Sequence, residues 1–103
     1  MRVKWNNQAK AQLYNTAAYI GYLFGKKAMV SFMKDVVKKT SLLEVSPELG
    51  KIEPLLSDRS VTYRSLVIGK LNKIVYHIND DCIEVNAFWH TRREPQSLTD
   101  EVK

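Results

Sequence analysis

Apolar and polar positions along the chain change period several times, and each change marks an element. Val3 and Trp5 alternate with Arg2 and Lys4, the two-residue period of a short strand with one buried face. Asn6-Asn7 follows as a helix N-cap, after which Leu13, Ala17, Ile20 and Phe24 fall at spacings of four, three and four and form one stripe. Gly25 stands where a left-handed residue would end that helix, with Lys26 and Lys27 behind it. A second helix is predicted over 26–45, with Ala28, Phe32, Val36 and Leu43 on its apolar face and Met29 and Met33 filling gaps beside them. So short a link makes the two helices an antiparallel hairpin.

Pro47 cannot continue the second helix, and Gly50 turns the chain into a loop over 51–60 anchored by Ile52, Leu55 and Leu56. Strands are then predicted over 61–68, 73–78 and 82–90, joined by turns at Gly69-Lys70-Leu71-Asn72 and Asn79-Asp80-Asp81. Strict alternation puts Ile74, Tyr76, Ile78, Ile83, Val85, Ala87 and Trp89 on one face, the natural seat of the helical hairpin. Lys73, Val75 and His77, with Glu84, Asn86, Phe88 and His90, fall on the other face, which is expected to remain partly open. The order β-α-α-β-β-β, with the hairpin on one face of an antiparallel sheet, is an α+β domain.

A chain of 103 residues is a single domain, 1–103, with room for one modest core. Its 45% hydrophobic and 26% charged residues disfavour disorder and membrane classes. The opening MRVKWNNQAK has no apolar leader core, so a cytoplasmic protein is expected. Cys82, the one cysteine, excludes an intrachain disulfide and disfavours a cysteine-built metal site; no metal or cofactor is expected.

A formal charge of +5 favours nucleic acid or acidic protein partners, and its distribution matters more than its size. From Arg59 to Asn79 the chain carries Arg59, Arg64, Lys70 and Lys73 and no acid, and the last strand runs into His90, Arg92 and Arg93. Such a sheet presents cations to something negative.

Four segments then resemble one family. VKWNNQAKAQLYNTAAYI is similar to the opening of the RelE/ParE superfamily of bacterial toxins, SPELGKIEPLL to its Pro-x-x-Gly loop, YRSLVIGKLNKIVYHI to its central hairpin and IEVNAFWHTRREP to its last strand and basic tail. The resemblance spans almost the whole chain. It implies the toxin of a type II toxin–antitoxin pair of the plasmid-stabilisation kind. RelE-like members, YoeB among them, cut mRNA on the ribosome without a metal, whereas ParE-like members act on DNA gyrase with no established hydrolytic site.

Metal-independent RNA cleavage needs a base for the 2′-hydroxyl, cations for the phosphorane and an acid for the leaving oxygen. By resemblance to YoeB-like members, Glu53 beside Pro54 matches the general base; its other reading is a solvated loop glutamate. Lys73 stands where the family usually has a transition-state arginine, and a lysine supplies a point charge without the bidentate fork. An ordinary strand-end lysine fits equally. Arg92 matches the basic residue placed on the scissile phosphate, and His90 is either an acid–base group or a structural histidine. Arg64, Lys70 and Arg93 are candidate contacts to RNA or target, or solvated charge. His77 is read as structural. After Arg93 no Tyr or His follows to act as a terminal acid. The functional classes are therefore an mRNA endonuclease, a non-hydrolytic gyrase poison, or an inactive toxin that only binds its antitoxin. Each implies an acidic antitoxin that wraps the sheet and the apolar groove beside the helical hairpin.

Overall fold

The computed structural model describes residues 1–91 and 95–102. Strand β1 (Arg2–Trp5) leads into helix α1 (Asn7–Phe24), which turns at Gly25 into α2 (Lys26–Val45). Then come β2 (Lys51–Ile52), a 3-10 turn (Pro54–Leu56), β3 (Tyr63–Ile68), β4 (Asn72–Asn79), β5 (Cys82–His90) and α3 (Pro95–Glu101). The architecture is α+β: five strands in the order β1-β5-β4-β3-β2, with α1 and α2 on one face.

Local chemistry accounts for the hairpin. Asn6 Oδ1 accepts from the Ala9 amide at 2.8 Å, satisfying one of the open donors at the start of α1. Gly25 adopts φ 95° and ψ 170°, a conformation almost closed to residues with a Cβ, and so lets α2 begin one residue after α1 ends. Leu13 and Ala17 of the predicted stripe are buried, with Val36 and Leu43 of α2. Phe24 is not: it is 72% exposed at the hairpin tip, the last residue of α1.

The sheet departs from the expectation in three ways. It is mixed rather than antiparallel, because β1 runs parallel to β5 with Val3 opposite Ile83 and Trp5 opposite Val85. Alternation assigns faces and says nothing of a strand's direction or neighbour. The segment 51–60 is not all loop, since Lys51 and Ile52 pair with Ser65 and Arg64 at the far edge. Of the three expected anchors Ile52 is exposed, while Leu56 is buried and Leu55 packs partly buried against the same cluster.

The third departure is a β-bulge. Val75 opposes Ala87 and Tyr76 opposes Val85, which leaves Asn86 as an extra residue in β5. Past it every side chain of β5 changes face. Ile83 and Val85 pack under the helices as predicted, but so does Phe88, edge-on to Phe32 with ring centroids 5.8 Å apart. Ala87 and Trp89 turn to the opposite face. That face is not open. Leu56, Tyr63, Val75, Ala87 and Trp89 form a second buried cluster there, closed by Leu98 and Val102 of the C-terminal segment. Arg59 fastens this cover by donating to the carbonyl oxygens of Thr99, at 2.7 Å, and Val102.

Candidate functional site

Glu53 and Lys73 meet on the face that α3 and the 3-10 turn cover. Glu53 follows β2, its amide donating to the Tyr63 carbonyl at 2.9 Å, and Pro54 occupies the first position of the turn. Its Oε2 accepts from the Leu55 amide at 3.2 Å and caps that turn, while Oε1 takes a charge-assisted hydrogen bond from Lys73 Nζ. Glu53 is 2% exposed and Lys73 17%. Both carboxylate oxygens are thus engaged inside the protein. The solvated loop glutamate is corrected: the side chain is an interior one.

His90 lies elsewhere. It pairs with Asn72 across the sheet, one position beyond the Lys73–Trp89 pair, and lines a recess of about 220 Å³ with Gln12, Asn15, Thr16 and Phe88 on the α1 side. The predicted shared face for Lys73 and His90 is overturned by the bulge, which moved His90 to the helical side. Arg92 and Arg93 lie outside the described residues. Of the four residues considered for catalysis, the described structure brings together Glu53 and Lys73.

Arg64 turns inward. Its Nη1 donates to the Gly50 carbonyl at 2.9 Å, in a knot where the Gly50 amide donates to the Tyr76 hydroxyl at 2.9 Å and that hydroxyl donates to the Pro47 carbonyl at 2.8 Å. A Cβ on Gly50 would stand 2.7 Å from both the Ser65 carbonyl oxygen and the Tyr76 hydroxyl, so the backbone approaches where only glycine fits. Burial pushes the Tyr76 phenol above its usual range, against the smaller opposing effects of the Gly50 hydrogen bond and the Arg64 charge. The Pro-x-x-Gly loop is therefore held by Arg64 and Tyr76, whose contacts the sequence did not foretell. Lys70 stays exposed on the β3–β4 turn.

Sequence reasoning also missed a polar row at the bulge. His77 Nδ1 and Asn86 Oδ1 are 2.8 Å apart, Glu84 Oε2 lies 3.9 Å from His77 Nε2, and Tyr63 packs edge-on to the imidazole at 5.4 Å. Asn6, besides capping α1, donates to the Asn86 carbonyl at 3.3 Å, so one residue starts the helix and steadies the bulge. Among the described residues no group of three His, Cys, Asp or Glu side chains could hold a metal ion, and no helix is long and apolar enough to cross a membrane.

The helical hairpin carries an apolar groove. A groove of about 580 Å³ runs between α1 and α2, lined by Tyr14, Ala17, Ala18, Met29, Met33 and Val37 among others, with Lys34 at its rim. Tyr19, Tyr22, Leu23 and Phe24 extend the exposed apolar surface of α1 toward the tip. Single exposed apolar residues are ordinary, whereas an apolar groove of this kind is a candidate binding surface.

A helical hairpin seated on a five-stranded mixed sheet, with basic residues on the central strands, is the arrangement of type II toxins of the RelE/ParE superfamily. Within it, the family model for the ParE toxin of the parDE type II toxin–antitoxin system matches residues 3–95, and the chain belongs to that family. Two solved structures share the fold. The chromosomal ParDE toxin–antitoxin system from P. aeruginosa superposes with a TM-score of 0.72 at 18% identity, over 89% of this chain and 97% of that one. The YoeB dimer from Staphylococcus aureus does so with a TM-score of 0.59 at 19% identity, over 87% and 97%. No curated protein matches the sequence significantly.

Proposed function

We propose that this toxin acts by binding rather than by cutting RNA, that its target is DNA gyrase, and that an acidic antitoxin silences it. The observation that carries this reading is the state of Glu53. A general base needs a lone pair within reach of the 2′-hydroxyl, and this carboxylate is buried with both oxygens engaged by Lys73 and the Leu55 amide. Lys73, the cation that would face the phosphorane, is occupied in the same pair. His90, the remaining acid–base candidate among the described residues, lines a recess on the opposite face of the sheet. Membership of the ParE toxin family supports the same choice of target.

The antitoxin reading rests on the groove between α1 and α2, whose apolar walls beside Lys34 suit an amphipathic helix with acidic flanks. Co-purification with the product of the adjacent reading frame tests it, and failure to bind would remove that partner. For the target, purified toxin is added to gyrase and supercoiled plasmid, and mRNA ends are mapped by primer extension after pulsed expression. Stalled gyrase–DNA cleavage complexes with unaltered mRNA ends are expected. Codon-phased mRNA cuts without any effect on gyrase would replace the proposal with the endonuclease reading. Unchanged growth on expression without antitoxin would leave only an antitoxin-binding module.

A further inference from the structure

The hydrophobic groove accounts for one side of α2, and the other side faces a second recess of different chemistry. Ser31 and Asp35, four residues apart on α2, line a cleft of about 550 Å³ against the β3–β4 turn, with Phe32 and Ile68 as its apolar walls and Lys70 and Asn72 opposite. Two acceptors on residues that line this cleft have no donor among the described residues. The Asp35 side chain is half-buried and has neither a hydrogen bond nor an ion pair among the described residues, although Lys38 and Lys39 follow it by three and four positions. The Asn72 amide oxygen is buried and has no hydrogen-bond partner among the described residues. A buried polar group without a partner is costly, and an unpaired, half-buried carboxylate stands out in a chain of net charge +5.

We propose that this cleft receives a cationic side chain, an arginine, of the antitoxin; the inference rests on the toxin–antitoxin reading above. Both orphaned groups call for donors, and a guanidinium offers five in one plane, enough to engage the Asp35 carboxylate in bidentate fashion and the Asn72 amide besides. The Asn72 amide oxygen is buried as it stands, and rotation about its soft χ2 torsion would turn it toward the cleft. The methylene stem lies along Phe32 and Ile68, and the exposed Lys70 ammonium swings away on its flexible stem. Position favours a protein partner. The groove and the cleft flank the same stretch of α2, with Met29 and Met33 on one side and Ala28 and Phe32 on the other, so a chain in the groove reaches the cleft by crossing one helix.

The cleft gives selectivity where the basic surface gives only attraction. Any acidic segment is drawn to the lysines, but one whose arginine meets Asp35 leaves no acceptor unpaired.

Two measurements test this. In the first, N-acetyl-argininamide is titrated into the isotope-labelled chain, with N-acetyl-glutamate as the contrast. Saturable amide shifts at Ser31, Asp35 and Asn72 are expected with the arginine probe, with an affinity at least about tenfold weaker in Asp35→Asn. Absent shifts at these residues, an identical curve in Asp35→Asn, or preferential binding of the glutamate probe through Lys70 would each overturn the proposal. In the second, Asp35→Arg is paired with the adjacent frame's product, each of whose arginines is changed in turn to aspartate. Binding should fall by at least about tenfold and return with one of those changes. Undiminished binding, or no rescue by any of them, counts against an arginine in the cleft. If the wild-type chain does not bind that product at all, the toxin–antitoxin reading fails, while the arginine titration still decides the cleft. The Asp35 carboxylate has no hydrogen bond or ion pair to lose among the described residues, so the melting temperature of both variants should stay close to the wild type.

Discussion

Lys73 of β4 and Glu53 just after β2, 20 residues apart in sequence, share a charge-assisted hydrogen bond within the protein. The pair ties the far edge of the sheet to its centre on the face closed by the C-terminal helix. Its members are hostages to one another, because either charge left alone would be buried without compensation.

Lys73→Met should therefore lower stability by about 3 kcal/mol in urea unfolding, leaving the Glu53 carboxylate unpaired. The double variant Glu53→Gln, Lys73→Met should recover much of the loss, since the stranded charge is gone. If the single variant unfolds at the wild-type urea concentration, the pair is not an interior clamp.

Tyr76→Phe should cost about 1–3 kcal/mol, because the Gly50 amide and the Pro47 carbonyl lose their shared partner. Burial raises the Tyr76 phenol in the folded state, so the folded chain holds this proton more tightly than the unfolded chain does. The contribution is complete below the ordinary tyrosine range near pH 10 and is lost as the pH rises beyond it. Wild-type stability, followed by denaturation, should fall in that alkaline window, with a shallower fall in Tyr76→Phe. Parallel pH profiles would contradict this account.

Leu98→Ala should destabilise by about 2–5 kcal/mol, since Leu98 is wholly buried in the second cluster. Protection from hydrogen exchange should drop first around Leu56, Tyr63 and Trp89, with the helical face losing it later. Uniform loss across the sheet would mean that the two clusters unfold as one.

On the outer groove, Tyr14→Ala combined with Val37→Ser should leave thermal stability within about 0.5 kcal/mol, because both side chains are more than half exposed. The same variant should weaken binding of the adjacent frame's product by at least about tenfold in calorimetry. Unaltered affinity would place the antitoxin on another surface.

Period and punctuation alone determined the helical hairpin, including the break at Gly25 and the α2 span of 26–45, and nearly all of the three C-terminal strands. These elements follow from local chemistry: caps, a glycine-only conformation and regular apolar spacing. Family resemblance, carried by short motifs in order, placed the chain among the toxins. Only the tertiary structure decided which face each site residue occupies. One extra residue at Asn86 moves Phe88 and His90 beneath the helices and Trp89 to the opposite face, and no local signal in NAFWH announces it. The direction of β1, the burial of Glu53 and the cover supplied by Leu98 and Val102 likewise depend on partners distant along the chain. Alternation records which residues seek burial; it does not record what will bury them.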